Sequence, residues 1–188
     1  MKDRRIMEVA KILVEYSTKV KKGDKVIIDT TTDAEPLIEE IYKLCIQKGA
    51  FTKINIAFSN TARIYFDNAS DEQLQHFPEL AMEEAKYGDV FISIRASKNT
   101  RALTSIDPKK MVIRSKITNP ISEEILKKRW VIFEYPTNSL AQEADMSLEE
   151  FEDFVYGSCI QDWNEISKEE TKLKEVMDKG KEIRIVGN

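Results

Sequence analysis

Apolar positions recur along the chain in two alternating patterns. Within residues 6–20 they are spaced by three and four, which predicts an amphipathic helix that ends before Gly23. The run Lys25–Thr30 is short, apolar and rich in β-branched residues, as is typical of a strand covered on both faces. Three further strands are predicted at Thr52–Phe58, Val90–Ile94 and Trp130–Phe133.

The order of these elements predicts the fold class. Helical segments stand between the predicted strands and after the last one. Strands that alternate with helices form right-handed βαβ crossovers, which bury a parallel sheet under helices. We therefore expect an α/β fold with an open, mostly parallel, Rossmann-like sheet and helices on both faces.

Helix ends are marked by capping and breaking residues. Asp33 is expected to cap the second helix, and Ser147 with Glu150 predicts a capping box at the start of a longer helix. The helix that precedes the last strand is expected to break at Pro120, because proline disfavours helical geometry in the residue before it.

The last residues suggest a second unit. From Glu182 onward charged and apolar residues alternate, which predicts a half-exposed strand, and a lone strand is marginal without partners. We therefore assign residues 1–180 to one amino-terminal α/β domain and residues 181–188 to the start of another domain that is otherwise absent.

Composition and charge exclude several classes of protein. The 188 residues carry a formal net charge of -4, so an electrostatic nucleic-acid footprint is not expected. No stretch approaches the about 18 uncharged apolar residues of a membrane span, which predicts no membrane partner and a cytoplasmic location. The two cysteines, Cys45 and Cys159, are far apart among apolar neighbours and are interpreted as buried free thiols.

The residue patterns of several common catalytic and phosphate-binding sites do not occur in this sequence. The turn Thr30–Asp33 has no glycine to admit a phosphate, and no pair of glycines brackets a serine nucleophile. His76 is the only histidine, so no metal ligand and no catalytic residue is predicted. The acids of 143–153 are interpreted as charges of a helix start rather than as a cation site.

Two loops keep functional interest, because they follow strands on the edge of the sheet where ligands bind. Asn99 and Arg101 follow the third strand, and Tyr135 and Thr137 follow the fourth. They are candidates for a substrate cavity or an interface, and Arg101 is suited to clamp a carboxylate. The alternative is that Thr137 or Asn138 is an N-cap and that Arg101 is a solvated side chain.

The segment 130–163 contains a Glu134-Tyr135-Pro136-Thr137 turn and an acidic, aromatic helix after it. This segment is the most specific part of a resemblance to the aminopeptidase T family of thermophilic-type leucyl aminopeptidases. Residues 93–101 and the Lys22–Val26 turn resemble the same family, so the resemblance spans essentially the whole chain.

The resemblance implies a function for the chain. Members of that family are two-domain enzymes that remove amino-terminal residues from peptides with a pair of divalent metal ions, such as zinc or cobalt, and commonly dimerise. Their metal ligands and catalytic carboxylate lie in the second domain, so no such residue carries over. The chain is then expected to hold no cofactor, to wall the active-site cavity, to support a homodimer and to be inactive alone. The alternative is a stand-alone Rossmann-like module for small-ligand binding or oligomerisation.

Overall fold

The centre of the molecule is a parallel sheet. A computed structural model describes residues 3–182 and 184–187. The strands are β1 (Lys25–Thr31), β2 (Phe51–Ala57), β3 (Val90–Arg95) and β4 (Arg129–Glu134). They are hydrogen-bonded in the order β2-β1-β3-β4, and every pair is parallel. The predicted strands are confirmed, and their ends differ from the prediction by at most one residue.

Helices fill the connections between the strands and the chain after β4. Within the described ranges the α-helices are α1 (Arg4–Lys11), α2 (Glu35–Gln47), α3 (Thr61–Asn68), α4 (Asp71–Gln75), α5 (Glu79–Tyr87), α6 (Pro108–Leu126), α7 (Asn138–Glu143), α8 (Leu148–Cys159) and α9 (Trp163–Lys179). A π-helical turn, Ile12–Ser17, extends α1, and a 3-10 turn, Thr32–Ala34, precedes α2. None of these helices, in the part of the chain that is described, has the length and hydrophobicity to cross a membrane.

The first face of the sheet carries the main core. Val26 and Ile28 of β1 lie beside Val90 and Ile92 of β3, and all four are fully buried. They belong to one apolar cluster with residues of α1, its π-helical extension, α2 and α8. These helices therefore cover the first face.

The second face carries a smaller core near the amino ends of the strands. Ile27 and Phe91 are buried there, and α5 lies over β2, since Glu84 of α5 pairs with Lys53. A Cβ atom on Gly88 would lie 2.5 Å from Cζ of Phe91, so glycine at this position lets the ring pack close to the backbone. With helices on both faces, the fold is the expected open Rossmann-like α/β architecture.

Two of the predicted helix ends are wrong and one is confirmed. Asp33 lies inside the 3-10 turn and α2 has no side-chain cap, because the Asp33 carboxylate pairs with Lys98 of a distant loop instead. Helix α6 runs unbroken through Pro120, which is exposed, so that water can reach the carbonyl that the proline leaves without a donor. Ser147 and Glu150 form the predicted capping box.

The predicted terminal strand falls partly outside the described residues, which exclude Ile183 and Asn188. Residues 184–187 are described and are neither helix nor strand. The division of the chain at residue 180 stays a prediction.

Candidate functional site

A crevice opens between β1 and β3, because the connection from β1 to β2 and the connection from β3 to β4 run to opposite sides of the sheet. The chain passes from β1 to β2 on one side, and β3 then pairs with the other side of β1. Open parallel sheets bind ligands at such a switch point, outside the carboxyl ends of the strands. A cavity of about 360 Å³ lies there, lined by the ends of β1 and β3 and by the loops that follow β2 and β3.

A row of polar side chains crosses the second face of the sheet at this cavity. Asp29 of β1 stands beside Asn55 of β2 and Ser93 of β3 in the strand register. Asn55 donates a hydrogen bond from Nδ2 to Oδ1 of Asp29 at 3.0 Å. Asp29 and Ser93 line the cavity, so the face that is apolar at the amino ends of the strands becomes polar at their carboxyl ends.

The surroundings of Asp29 disfavour its charged form. Burial raises the pKa of the Asp29 carboxyl above its usual value, and the nearby carboxylate of Glu84 adds to that effect, while the Asn55 hydrogen bond and Lys53 oppose it. Asn55 is shared, since its Nδ2 also donates to Oε1 of Glu84 at 2.6 Å. The Asp29 carboxyl in the cavity lining is therefore poorly compensated, because Lys53 is paired with Glu84.

Two cations line the rim of the same cavity. Lys98 lies 3.1 Å from Oδ1 of Asp33, and Arg95 lies 3.4 Å from Oε1 of Glu134. The loop that carries Lys98 is anchored by the Thr31 hydroxyl, which donates to the carbonyl of Ala96 at 3.1 Å. The crevice thus combines one poorly compensated acid with two exposed cations.

Asn99 and Arg101 lie in the loop after β3, as predicted. Asn99 lines the crevice, and its Oδ1 accepts a hydrogen bond from the backbone N–H of Arg101 at 2.9 Å. Arg101 binds the Glu143 carboxylate of α7 through Nε and Nη2, both at 3.0 Å. The hydrogen bonds from Arg101 and from Thr100 lower the pKa of Glu143 to about 2. Arg101 therefore binds a carboxylate of its own chain, and its role toward a substrate or an interface stays a prediction.

Tyr135 and Thr137 stand beside the crevice rather than in its lining. Thr137 is the N-cap of α7, as the alternative interpretation held, and its hydroxyl donates to the carbonyl of Ser97 at 2.7 Å. The backbone N–H of Tyr135 donates to the carbonyl of Arg95 at 2.7 Å, and burial raises the pKa of its half-buried phenol. Both residues hold the loop after β3 in place, and their role toward a substrate or an interface stays a prediction.

The remaining ionisable candidates have structural partners. His76 is exposed at the end of α4, 3.6 Å from Glu79. Of the acids in 143–153, Glu150 belongs to the capping box, and Glu152 and Asp153 both pair with Arg5. Within residues 3–182 and 184–187 no group of three or more histidine, cysteine, aspartate or glutamate side chains is placed to hold a metal ion.

Asp29 was missed by the sequence reading, although a signal for it exists. It is the one charged residue inside the otherwise apolar and hydroxyl-bearing run that follows Lys25. A carboxylate in a strand that is covered on both faces costs free energy unless it has a function or a partner.

The fold and its crevice define a Rossmann-like α/β domain with a polar switch-point cavity. The chain belongs to the thermophilic metalloprotease (M29) family, whose sequence profile matches residues 2–187. This match confirms the resemblance to the aminopeptidase T family.

Named relatives and a solved structure agree with the family. The chain is 31% identical over 107 residues to aminopeptidase AmpS of Bacillus subtilis (strain 168), and the matched segment covers 54% of the chain and 26% of that protein. It is 26% identical over 152 residues to aminopeptidase 2 of Geobacillus stearothermophilus, and this match covers 74% of the chain and 36% of that protein. Wild-type AmpT from Thermus thermophilus has the same fold, with a TM-score of 0.67 at 18% identity over 84% of this chain and 43% of that one.

Proposed function

We propose that this chain is the amino-terminal domain of a cytoplasmic two-metal aminopeptidase that releases amino-terminal residues from peptides. The observation that carries the proposal is the family match over residues 2–187. Two relatives bear the name aminopeptidase, and the chain spans only 26% and 36% of their lengths. The proposal therefore assigns this chain one part of a larger enzyme.

The catalytic step belongs, in this proposal, to the rest of the enzyme. When bound, a metal pair would polarise the scissile carbonyl and supply a hydroxide nucleophile. The described residues do not fit such a pair, since no group of three or more histidine, cysteine, aspartate or glutamate side chains among them is placed to hold a metal ion and His76 is an exposed side chain. By the family resemblance the ligands lie in the second domain, so we expect the chain alone to be inactive.

The proposed tasks of this domain are to wall the active-site cavity and to support a homodimer. Exposed apolar side chains support the second task. Phe154 of α8 is 62% exposed, and α9 exposes Leu173, Val176 and Met177 to 60%, 69% and 44%. Apolar surface of this kind on consecutive helices is typical of a contact with another protein surface.

A hydrolysis assay tests the catalytic part of the proposal. The purified chain is incubated with zinc or cobalt and with an aminoacyl p-nitroanilide, beside a full-length aminopeptidase of the M29 family as the positive control. We expect p-nitroaniline release from the control and none from the chain. Metal-dependent turnover by the chain itself would contradict the proposal.

Sedimentation velocity tests the assembly part. We expect a concentration-dependent dimer that the substitution Phe154→Ser weakens. The control is Leu80→Ser, which removes an equally apolar side chain that is 87% exposed on α5, over the other face of the sheet. A chain that stays monomeric at every concentration, or a dimer that both variants weaken equally, would contradict an interface at α8.

A further inference from the structure

Asp29 is a carboxylate whose surroundings leave it undercompensated. It is half-buried, and in the described part of the chain it makes no ion pair and accepts a hydrogen bond only from Asn55. That bond reaches Oδ1 and leaves Oδ2 without a donor. Burying a charged group is costly unless it is paired, so this position is suited to a ligand that brings a cationic donor into the cavity.

The rim of the cavity carries positive charge, opposite to that of Asp29. The side chains of Arg95 and Lys98 are 61% and 58% exposed, and each has one surface carboxylate as its partner. Exposed ion pairs of this kind contribute at most about 1 kcal/mol, so either cation is available to bind an incoming anion. The Arg95 contact, at 3.4 Å, is longer than a well-formed charge-assisted hydrogen bond.

Volume and the remaining lining limit the size of the ligand. The cavity of about 360 Å³ is near the lower end of the range of small-molecule sites. Ile94, Ala96 and Ala102 also line it and supply apolar contact. The turn after β1 has no glycine to approach a phosphate, and an acid lines the cavity wall, which disfavours nucleotides.

We propose that this cavity binds a small zwitterion, an amino acid or a short peptide. Its ammonium group binds Asp29, its carboxylate binds Lys98 or Arg95, and its side chain lies against the apolar part of the lining. The charge-assisted hydrogen bonds at the two ends supply specificity for a ligand that carries both charges. The proposal goes beyond the peptidase function and needs no metal ion.

Isothermal titration calorimetry of the whole chain without metal tests this site. The probes are L-leucine, isoamylamine, which keeps the ammonium group alone, and 4-methylpentanoate, which keeps the carboxylate alone. We expect leucine to bind and each single-charge analogue to bind at least about tenfold more weakly, since each loses one charge-assisted contact. Leucylglycine, run in parallel, distinguishes a peptide site from an amino-acid site.

Variants locate the binding. Asp29→Asn keeps the shape of the side chain and an acceptor for Asn55, and we expect it to weaken leucine binding at least about tenfold. Lys98→Met is expected to weaken it by a smaller factor, because Arg95 remains. The matched control is Asp178→Asn, which removes an exposed carboxylate of α9 that pairs with Lys174. Leucine binding by this control should be unchanged.

Several results would overturn the site. These are no heat of binding for leucine or leucylglycine at up to about 10 mM, equal binding of 4-methylpentanoate and leucine, or an unchanged affinity in a folded Asp29→Asn variant. If that variant does not fold, the analogue series on the unmodified chain still decides. Failure here leaves the aminopeptidase proposal intact, because the hydrolysis assay tests that one separately.

Discussion

Arg129 joins the start of β4 to the end of the first helix, and its removal is expected to destabilise the fold. Its Nη2 lies 2.7 Å from Oδ1 of Asp24, and its Nη1 donates to the carbonyls of Thr18 and Lys19 at 3.1 and 2.8 Å. Asp24 is 5% exposed. Burial works against its charge, but Arg129 and the backbone N–H of Lys21 keep the pKa of Asp24 below its usual value.

The magnitude follows from what Arg129→Met leaves behind. Removing one partner of a buried ion pair costs about 3–5 kcal/mol. The value here should lie near 3 kcal/mol, roughly the lower limit, because Arg129 is partly exposed and Asp24 keeps the Lys21 hydrogen bond of 2.8 Å. For a domain of this size that loss lowers the melting temperature by about 6–12 °C.

Urea denaturation, followed by circular dichroism, measures this change in the free energy of unfolding. The double variant Asp24→Asn/Arg129→Met should recover part of the loss, because the buried charge is gone. A loss below about 1 kcal/mol for Arg129→Met would show that Arg129 and Asp24 behave as an ordinary surface pair, contrary to this prediction. So would strict additivity of the two substitutions, since residues in contact are expected to be coupled.

Three further predictions concern single side chains. Gly88→Ala should cost about 1–3 kcal/mol of unfolding free energy in urea, because its Cβ would lie 2.5 Å from Cζ of Phe91; a neutral effect would contradict this packing. Cys45 is buried, which raises its thiol pKa to about 11. Ellman's reagent should therefore label the half-exposed Cys159 in the folded chain and label Cys45 only when the chain unfolds. Arg101 lowers the folded-state pKa of Glu143 from 4.5 to about 2, so the stability that this pair contributes is present above pH 4.5 and is lost as the pH falls toward 2. The difference in thermal midpoint between the chain and Glu143→Gln should shrink over that window, and a constant difference would speak against the pair.

Strands β1 and β3 were predictable because each is a local run of mostly apolar residues. Val26, Ile28, Val90 and Ile92 are buried in a sheet that helices cover on both faces, and such strands read as apolar throughout. The capping box at Ser147 was predictable for the same reason, since it involves residues only three apart.

The crevice was less predictable because it depends on the strand order. Asp29, Asn55 and Ser93 are distant in sequence and become neighbours only when β1 lies between β2 and β3. The Asp33 prediction failed for a similar reason, because its partner Lys98 comes from another loop. The pairing of Arg101 with Glu143 was not predicted, because Glu143 is 42 residues away in the sequence.

We propose that the catalytic metal ions are bound by residues outside this chain. Calorimetric titration of the metal-free chain with zinc or cobalt is the test of this proposal. We expect no binding tighter than about 1 μM, the affinity of an adventitious surface site. Two equivalents of ion bound well below that concentration, with side chains of residues 1–188 as ligands, would contradict the account.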